Sequence, residues 1–278
     1  MQCIKLNHPW LYRHRISMCS NGVLYFDPKV QEFLKKYAAT LSLSISIDGT
    51  KELHDTCRIF PNGQGSYDIA MKAVEHYRAN YGFIGSKITI APENLKYTSE
   101  AIIHMYENGW DEINANCIFE KGWELNHATE FYYQLKNLAD YIDEHDLYSN
   151  LYISLFLEDG FSPMDYTQED NNRNWCGGTG KMLAVDYRGI FYPCLRYMPS
   201  SLGSDREPLI VGNVNDGICT KECEKCLKCY LDNITASSQS SETCLTCPIA
   251  KGCAWCSGYN YQETGDVNKR VTHICVMH

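Results

Sequence analysis

The sequence has 278 residues, of which 44% are hydrophobic and 12% aromatic, so it suits one large folded domain or two modest ones. Its formal net charge of -9 is spread without a basic stripe, which argues against nucleic acid as the main partner. No run of about 18 apolar residues and no apolar signal-peptide core occurs. We therefore expect no membrane partner and a cytoplasmic location.

The first 165 residues alternate predicted strands and helices. Leu41–Ile47 alternates apolar and small polar residues at period two, as a strand does, and it stops at the turn pair Asp48-Gly49. The predicted elements, in chain order, are a strand at Arg15–Met18, a helix with Val30, Phe33, Leu34 and Tyr37 on one face, a strand at Leu41–Ile47, a helix from about Tyr67 to Tyr81, a strand at Lys87–Ile90, a helix ending near Asn108, a strand at Trp110–Cys117, a helix from about Asn126 to Glu144 and a strand at Leu151–Leu157. This order predicts an α/β fold with a parallel sheet.

In such a fold the functional groups lie just past the carboxyl ends of the strands. The residues at those positions are polar: Asn21, Ser46, Asp48, Glu93, Asn94, Asn114 and Asn116. Polar residues also cap strands and helices in most proteins, so each of them singly has a purely structural interpretation as well.

The chain has 15 cysteines, which is the unusual feature of its composition. In a reducing compartment so many thiols predict metal binding rather than disulfides. Only four of them lie before residue 176, at Cys3, Cys19, Cys57 and Cys117. The polar stretch Asp165–Asn174 is the predicted boundary between a first domain, residues 1–165, and a cysteine-rich second domain, residues 166–278.

The cysteines of the second domain have metal-ligand spacing. Cys176 and Cys194 flank a predicted hairpin, Lys181–Val185 and Ile190–Tyr192, whose turn brings its two ends together. Further on the chain reads Cys-x2-Cys-x5-Cys-x2-Cys, and one more cysteine follows after eighteen intervening residues; these are Cys244, Cys247, Cys253, Cys256 and Cys275. Repeated Cys-x2-Cys pairs hold either iron–sulfur clusters or structural zinc. Spacing alone leaves both open, beside ordinary buried thiols.

The whole pattern, Cys-x12-Gly-x4-Cys followed by the double Cys-x2-Cys and a late cysteine, resembles the SPASM domain of radical S-adenosylmethionine enzymes. The segment Ser44–Asp55 is similar to the fourth-strand segment of the same enzymes, and Asn21-Gly22 and Pro92-Glu93-Asn94 also fit. The resemblance covers nearly the whole chain and is greatest to peptide maturases, in the branch whose targets carry Cys-x-x-x repeats. It implies the later strands of a partial (β/α)6 barrel followed by a SPASM domain.

The resemblance also implies cofactors and their ligands. Two auxiliary [4Fe–4S] clusters would be held by interleaved cysteines, one by Cys244, Cys247, Cys253 and Cys275, and the other by Cys176, Cys194 and Cys256. The second cluster would then have an iron without a cysteine, open to a substrate thiolate. Ser46, Asp48 and Asn21 match positions expected near S-adenosylmethionine.

The sequence departs from this family in three ways. The family's defining Cys-x3-Cys-x2-Cys and its methionine-binding glycines are missing before residue 175, and the chain stops three residues after Cys275. These two departures predict a fragment truncated at both ends, which leaves the activity of this chain alone uncertain. Leu195 stands where some sulfatase-maturing relatives have an Asp.

The Cys-x3-Cys-x2-Cys spacing that is missing before residue 175 occurs late in the chain, at Cys219, Cys223 and Cys226, with Cys229 beyond. Lys, Glu and Leu surround these thiols and favour a helix. On a helix residues 219 and 226 are about 10 Å apart along the axis, too far to cap one cluster together. A helical thiol stripe, an additional cluster ligand and a true radical-generating site are the three interpretations.

The function implied by the resemblance is modification of a ribosomally made, cysteine-containing precursor peptide, such as thioether crosslinking. The complete enzyme would form a 5′-deoxyadenosyl radical from S-adenosylmethionine and receive electrons from flavodoxin or ferredoxin. The alternatives are a sulfatase-maturating enzyme and a non-catalytic zinc or iron–sulfur interaction module.

Overall fold

The structure is a computed structural model that describes residues 16–156, 162–169, 172, 176–179, 181–204, 206–218, 227–253 and 255–277. The chain forms two compact units. The first comprises Met1–Ile118 and Leu125–Phe156, and the second comprises Phe119–Glu124 and Leu157–His278. Within the described ranges, no helix has the length and apolar character needed to cross a bilayer.

The first unit contains strands and helices that alternate along most of its length. They are β1 (Ile16–Ser20), α1 (Pro28–Tyr37), β2 (Leu41–Ile45), α2 (Lys51–Cys57), α3 (Tyr67–Tyr81), β3 (Ile88–Ile90), α4 (Thr98–Glu107), β4 (Glu112–Ile113), β5 (Ala115–Cys117), α5 (Leu125–Glu144) and β6 (Tyr152–Ile153), with short 3-10 turns at Ala38–Thr40 and Leu95–Tyr97. The helices lie at or near their predicted positions, and α3 has its predicted bounds.

The strands of the first unit pair in parallel. β1 pairs with β2, β3 with β5 and β4 with β6, and an isolated parallel bridge joins Ser44 of β2 to Gly85. In β2 the apolar residues Leu41, Leu43 and Ile45 are buried while the serines between them are partly exposed, so the period-two pattern separates two faces. The parallel pairing agrees with the α/β prediction.

The helices of the first unit begin and end for local reasons. Asp27 accepts a hydrogen bond from the Lys29 amide at 2.8 Å and Pro28 occupies the first turn, which together start α1. α3 buries one side of its length, including Ala70, Ala73, Val74 and Tyr77, which supplies much of the core of this unit.

Two strand predictions and one helix differ between the prediction and the structure. The predicted strand Trp110–Cys117 is two short strands, β4 and β5, because Asn114 interrupts it and the two halves pair with different partners. Of the predicted strand Leu151–Leu157, only β6 is strand among the described residues, because a turn follows at 154–155, and Leu157 lies outside the described residues. α2 was not predicted, although Thr50 caps it by accepting from the Leu53 amide at 3.4 Å.

The second unit contains many short elements and one antiparallel sheet of order β10-β9-β8-β7. Its elements are β7 (Ala184–Val185), β8 (Ile190–Tyr192), α6 (Pro199–Leu202), β9 (Gly212–Asn213), β10 (Gly217–Ile218), α7 (Leu227–Asp232), α8 (Ala236–Gln239), α9 (Glu242–Leu245) and α10 (Ser257–Thr264), with 3-10 turns at Leu195–Tyr197, Ala250–Gly252 and His273–Met277. The predicted hairpin is confirmed as β7 and β8, which pair antiparallel.

A small apolar core supports this sheet. Its buried members are Ala184, Tyr192, Tyr197, Val211, Leu231, Ile234 and Val267. Asp186 closes the hairpin turn, because its carboxylate accepts from the amides of Arg188 and Ile190 at 2.9 and 3.0 Å and from the Tyr192 hydroxyl at 3.1 Å. The hairpin therefore fixes the position of the residues after β8, including Cys194.

Candidate functional site

Two cysteines that are eighteen positions apart meet at the base of the hairpin. A Cβ placed on Gly178 would lie 3.4 Å from the sulfur of Cys176 and 3.6 Å from that of Cys194, so both thiols face one space. The Gly178 amide donates to the Cys176 sulfur at 3.4 Å. Because Gly178 has no side chain, this space stays open to a group that the two sulfurs could bind.

Cys256 is the third thiol of this group. It precedes α10, where its sulfur accepts a hydrogen bond from the Tyr259 amide at 3.4 Å. Burial raises the pKa of Cys194, and the nearby thiols of Cys256 and Cys176 raise it further. Burial also raises the pKa of Cys256, which Arg196 partly opposes. We call Cys176, Cys194 and Cys256 the three-cysteine group.

The other four predicted ligands form a separate group, the four-cysteine group of Cys244, Cys247, Cys253 and Cys275. Burial raises the pKa of Cys253, and the thiols of the other three raise it further while Arg270 opposes them. Burial likewise raises the pKa of Cys275, with Cys244 and Cys247 acting in the same direction. The four side chains therefore lie within electrostatic reach of one another.

Two polar side chains approach the sulfurs of the four-cysteine group. Arg270 donates from Nη2 to the Cys253 sulfur at 3.1 Å, and the Ser241 hydroxyl donates to the Cys244 sulfur at 3.3 Å. Arg270 also donates to the Ser240 hydroxyl at 3.2 Å and lies over the Trp255 ring, 5.4 Å from its centroid. These contacts hold a cationic donor against a thiol that becomes a thiolate when it binds metal.

Among the described residues, no three His, Cys, Asp or Glu side chains converge tightly enough to hold a single metal ion. In a four-iron cluster each thiolate binds a different iron, so the sulfurs are spread more widely than the ligands of one ion. The two groups fit such a cluster in donor chemistry, because each offers several mutually close thiols.

Tyr197 lies beside the three-cysteine group. Its side chain is fully buried, and its hydroxyl has no hydrogen-bond partner in the described part of the chain. Burial raises its pKa, and the thiols of Cys194, Cys256 and Cys176 raise it further. Sequence analysis missed this residue and also Arg270, because nothing in the sequence distinguishes Tyr197 from the other tyrosines, of which the chain has 20 in all.

In the first unit, Ser46 lies just past β2 next to the end of β1. Its amide donates to the Ser20 carbonyl at 2.9 Å, and its hydroxyl lies 3.7 Å from the Cys19 sulfur. Ser46 is partly exposed. Its hydroxyl therefore stands at the carboxyl end of two adjacent parallel strands, where small ligands bind in parallel-sheet folds.

Asp48 and Asn21, the other two residues predicted near S-adenosylmethionine, are engaged in local structure. The Asp48 carboxylate pairs with the Arg58 guanidinium, and its amide donates to Nδ1 of the buried His54 at 3.3 Å. Burial lowers the pKa of His54, which matches its role as a neutral acceptor. Asn21 accepts from the Val23 amide at 3.1 Å and is exposed.

The remaining strand-end residues include one that is clearly structural. Asn94 accepts from the Ala91 amide at 2.7 Å and donates to the Thr89 carbonyl at 3.0 Å, which shapes the turn after β3. Asn114 donates to Glu112, and the exposed Asn116 donates to the Cys117 carbonyl. The structural interpretation given for such residues in the sequence holds for Asn94.

Cys219, Cys223 and Cys226 lie outside the described residues. Cys229 is partly buried on α7, where its carbonyl accepts from the Asn233 side chain at 2.8 Å. The three interpretations of this cysteine stretch stay open.

No family model and no curated protein matches the sequence. Solved structures do match. A structure of anSMEcpe with bound AdoMet, a SPASM-type anaerobic sulfatase-maturating enzyme, has a TM-score of 0.69 and 17% identity, covering 99% of this chain and 71% of that one. The structure of anSMEcpe with bound AdoMet and Cp18Cys peptide gives 0.67 and 18%, covering 99% and 75%.

A second enzyme also matches. The structure of SuiB from Streptococcus suis has a TM-score of 0.52 and 14% identity, covering 91% of this chain and 58% of that one. At these identities the likeness establishes the fold. The resemblance that the cysteine motifs indicated is confirmed at that level: the chain has the fold of radical S-adenosylmethionine enzymes with a SPASM domain.

Proposed function

We propose that this chain acts in radical S-adenosylmethionine modification of a ribosomally made, cysteine-containing precursor peptide, and that its second unit holds two auxiliary [4Fe–4S] clusters. The observation that carries the proposal is that the two groups interleave along the chain, since Cys256 of the three-cysteine group stands between Cys253 and Cys275 of the four-cysteine group. Cys253 and Cys256 are three residues apart, yet they lie in different groups. Independent zinc fingers use adjacent Cys-x2-Cys pairs together, whereas interleaving is the pattern of the SPASM resemblance.

Each group of cysteines in the second unit would have its own role. The four-cysteine group would saturate one cluster with thiolates, supported by Arg270. The three-cysteine group would leave one iron of the other cluster without a cysteine, next to the space beside Gly178. Such clusters supply electron transfer and, at an open iron, a binding place for a substrate thiolate. The electron donor would be a flavodoxin or ferredoxin.

The first unit would be the later part of a partial (β/α)6 barrel that binds S-adenosylmethionine. Parallel pairing of β1 with β2 and the exposed edge formed by Cys19 and Ser46 support a ligand at this end of the strands. We propose Ser46 as a direct contact. Asp48 would support the site indirectly, because its ion pair with Arg58 holds the chain after β2 in place. Asn21 would do the same through its hydrogen bond in the turn after β1. We also propose a cytoplasmic location for the protein.

Sulfatase maturation is the second candidate function, because anSMEcpe shares the fold over nearly the whole chain. Leu195 argues against it. This side chain follows Cys194 directly, is 67% exposed and carries no carboxylate that could serve as a base. A peptide substrate offering a cysteine thiol does not need a base at that position if the open iron binds the thiolate.

The proposal is tested by reconstituting the chain anaerobically with iron and sulfide. We expect about eight iron atoms per chain and broad visible absorption, as two four-iron clusters require. Cys253→Ala should lose about half of the iron, and Cys256→Ala about the other half, because each removes a ligand of a different cluster. The matched control is Cys57→Ala, which removes an exposed cysteine on α2 and should leave iron unchanged.

Two outcomes would overturn the proposal. A colourless chain that is purified with stoichiometric zinc and takes up no iron would identify a zinc interaction module. Equal iron loss in Cys57→Ala and Cys253→Ala would show that the iron is bound without regard to these groups.

A further inference from the structure

Tyr197 occupies an unusual place in the core of the second unit. It ends the 3-10 turn Leu195–Tyr197 directly after Cys194, and its amide donates to the Cys194 carbonyl at 3.2 Å. Its ring packs among the core residues and lies 6.0 Å from the Tyr261 ring. None of the side chain is exposed. The turn therefore fixes the direction of the hydroxyl relative to the cysteine.

That hydroxyl has no hydrogen-bond partner among the described residues. A buried polar group without a partner costs about 1–3 kcal/mol, so native proteins seldom keep one. Neighbouring tyrosines show the usual situation: the Tyr192 hydroxyl donates to Asp186 at 3.1 Å, and the Tyr261 hydroxyl donates to the Glu207 carbonyl at 2.8 Å. A phenylalanine at position 197 would fill the same core space without this cost.

The surroundings of the hydroxyl are sulfur-rich. Cys194 packs against the core cluster that contains Tyr197. Burial raises the pKa of Tyr197, and the thiols of Cys194, Cys256 and Cys176 raise it further. A tyrosine hydroxyl is a protonated donor at neutral pH, and sulfur accepts hydrogen bonds. A sulfur of a group bound by these cysteines could therefore accept the hydrogen bond that the Tyr197 hydroxyl lacks.

We propose that Tyr197 donates a hydrogen bond to a sulfur of the cluster held by the three-cysteine group and thereby sets that cluster's reduction potential. The inference rests on the proposed function, since it needs the cluster. Hydrogen bonds to cluster sulfurs stabilise the extra negative charge of the reduced state, so they raise the potential. Tyr197 is a positioning residue in this role, because it acts on the cluster and touches no substrate.

The test is Tyr197→Phe in the reconstituted chain, with iron content and the potentials of both clusters measured by a redox titration followed by electron paramagnetic resonance. We expect iron to equal that of the wild type, because no ligand is removed. One of the two potentials should shift to a more negative value. A tenfold change in the one-electron equilibrium corresponds to about 59 mV. The other potential should stay the same.

The control is Tyr261→Phe, which removes a hydroxyl from the adjacent ring that donates to a backbone carbonyl. It should leave both potentials unchanged. A loaded Tyr197→Phe chain with wild-type potentials overturns this inference alone. Loss of half the iron would overturn it in favour of a tyrosine ligand. A wild-type chain that binds no cluster overturns the proposed function as well, so the two failures are distinguishable.

Discussion

An arginine lies near each group of thiols. Arg270 donates directly to the Cys253 sulfur at 3.1 Å. Arg196 lies near Cys256, pairs with Glu120 at 3.0 Å, and stacks between the rings of Phe119 and Tyr259 at 5.8 and 5.6 Å from their centroids. A [4Fe–4S] cluster with its thiolates carries net negative charge, so a fixed guanidinium beside each group would offset part of it.

We expect Arg270→Ala to weaken the cluster of the four-cysteine group. A hydrogen bond to a charged group contributes about 1.5–3 kcal/mol, which corresponds to roughly a tenfold to hundredfold change in an equilibrium constant. The reconstituted variant should release about half of its iron to a chelator faster than the wild type does. The release is measured from the decay of visible absorption.

The matched control for that experiment is Arg188→Ala at the hairpin tip, where the guanidinium donates to the Tyr187 hydroxyl at 2.8 Å. Its iron release should match the wild type. Equal rates for both variants would mean that the contact between Arg270 and Cys253 does not stabilise the cluster.

Sequence reasoning at the residue scale succeeded where spacing along the chain carries the information. The cysteine positions indicated the family resemblance, because thiol spacing is set by ligation. Tyr197 and Arg270 could not be found this way, since tertiary packing buries the one in the core of the second unit and brings the other to the Cys253 sulfur. Asp48 shows the opposite case, because its position matches the family whereas its carboxylate is paired with Arg58.

At the scale of elements, the connection from β2 to α2 depends on Gly49. Its backbone has a φ of +107°, which side chains with a Cβ rarely adopt. A Cβ at this position would lie 2.5 Å from Cβ and 2.8 Å from Cα of Ala101 on α4. The close approach packs the turn that carries Asp48 against the helix.

We therefore expect Gly49→Ala to lower the free energy of unfolding by about 3 kcal/mol, which combines backbone strain with overpacking. Urea denaturation followed by circular dichroism measures it. Gly63→Ala is the comparison, because Gly63 has a φ of +83° and no atom lies within 4 Å of the added Cβ. Backbone strain alone should then lower its free energy of unfolding, by about 1 kcal/mol. Equal losses would show that the contact with α4 costs nothing.

Long periodic elements were predictable and short ones were not. α3 and α5 follow clear patterns over many residues, so their predicted positions agree with the structure. β4 and β5 are too short for periodicity to separate them, because their separation depends on which strand each pairs with. α2 could not be predicted from periodicity, because its seven residues make only about two turns, and the one local signal for it is the cap at Thr50.

At the scale of the whole molecule, the segment Phe119–Glu124 belongs to the second unit although the first unit surrounds it in sequence. Lys121 pairs with Glu263, and the Phe119 carbonyl lies 2.7 Å from Nε2 of His273, which bind this segment to the rest of the second unit. No feature of the sequence indicates that this segment belongs to the second unit. The predicted division after residue 165 stays a prediction.

We predict that the chain by itself does not cleave S-adenosylmethionine. Its early cysteines lack the Cys-x3-Cys-x2-Cys spacing that holds the radical-generating cluster in radical S-adenosylmethionine enzymes, and the late occurrence at 219–226 is surrounded by helix-forming residues. Reconstituted, reduced protein should form no 5′-deoxyadenosine above the background of a sample without protein, as measured by chromatography. Turnover that disappears in Cys226→Ala would show instead that the late cysteines form a working site.

The loop from Cys253 to Cys256 has a consequence for the electrons that the two proposed clusters would carry. With one cysteine on each cluster, three residues of chain can separate their Cα atoms by no more than about 11 Å. The charge on each of two redox centres held by so short a tether would act on the other. Their unpaired spins should interact magnetically when both are reduced, and reducing one should make reducing the other harder. The two clusters would then store two electrons together and would be reduced in a fixed order.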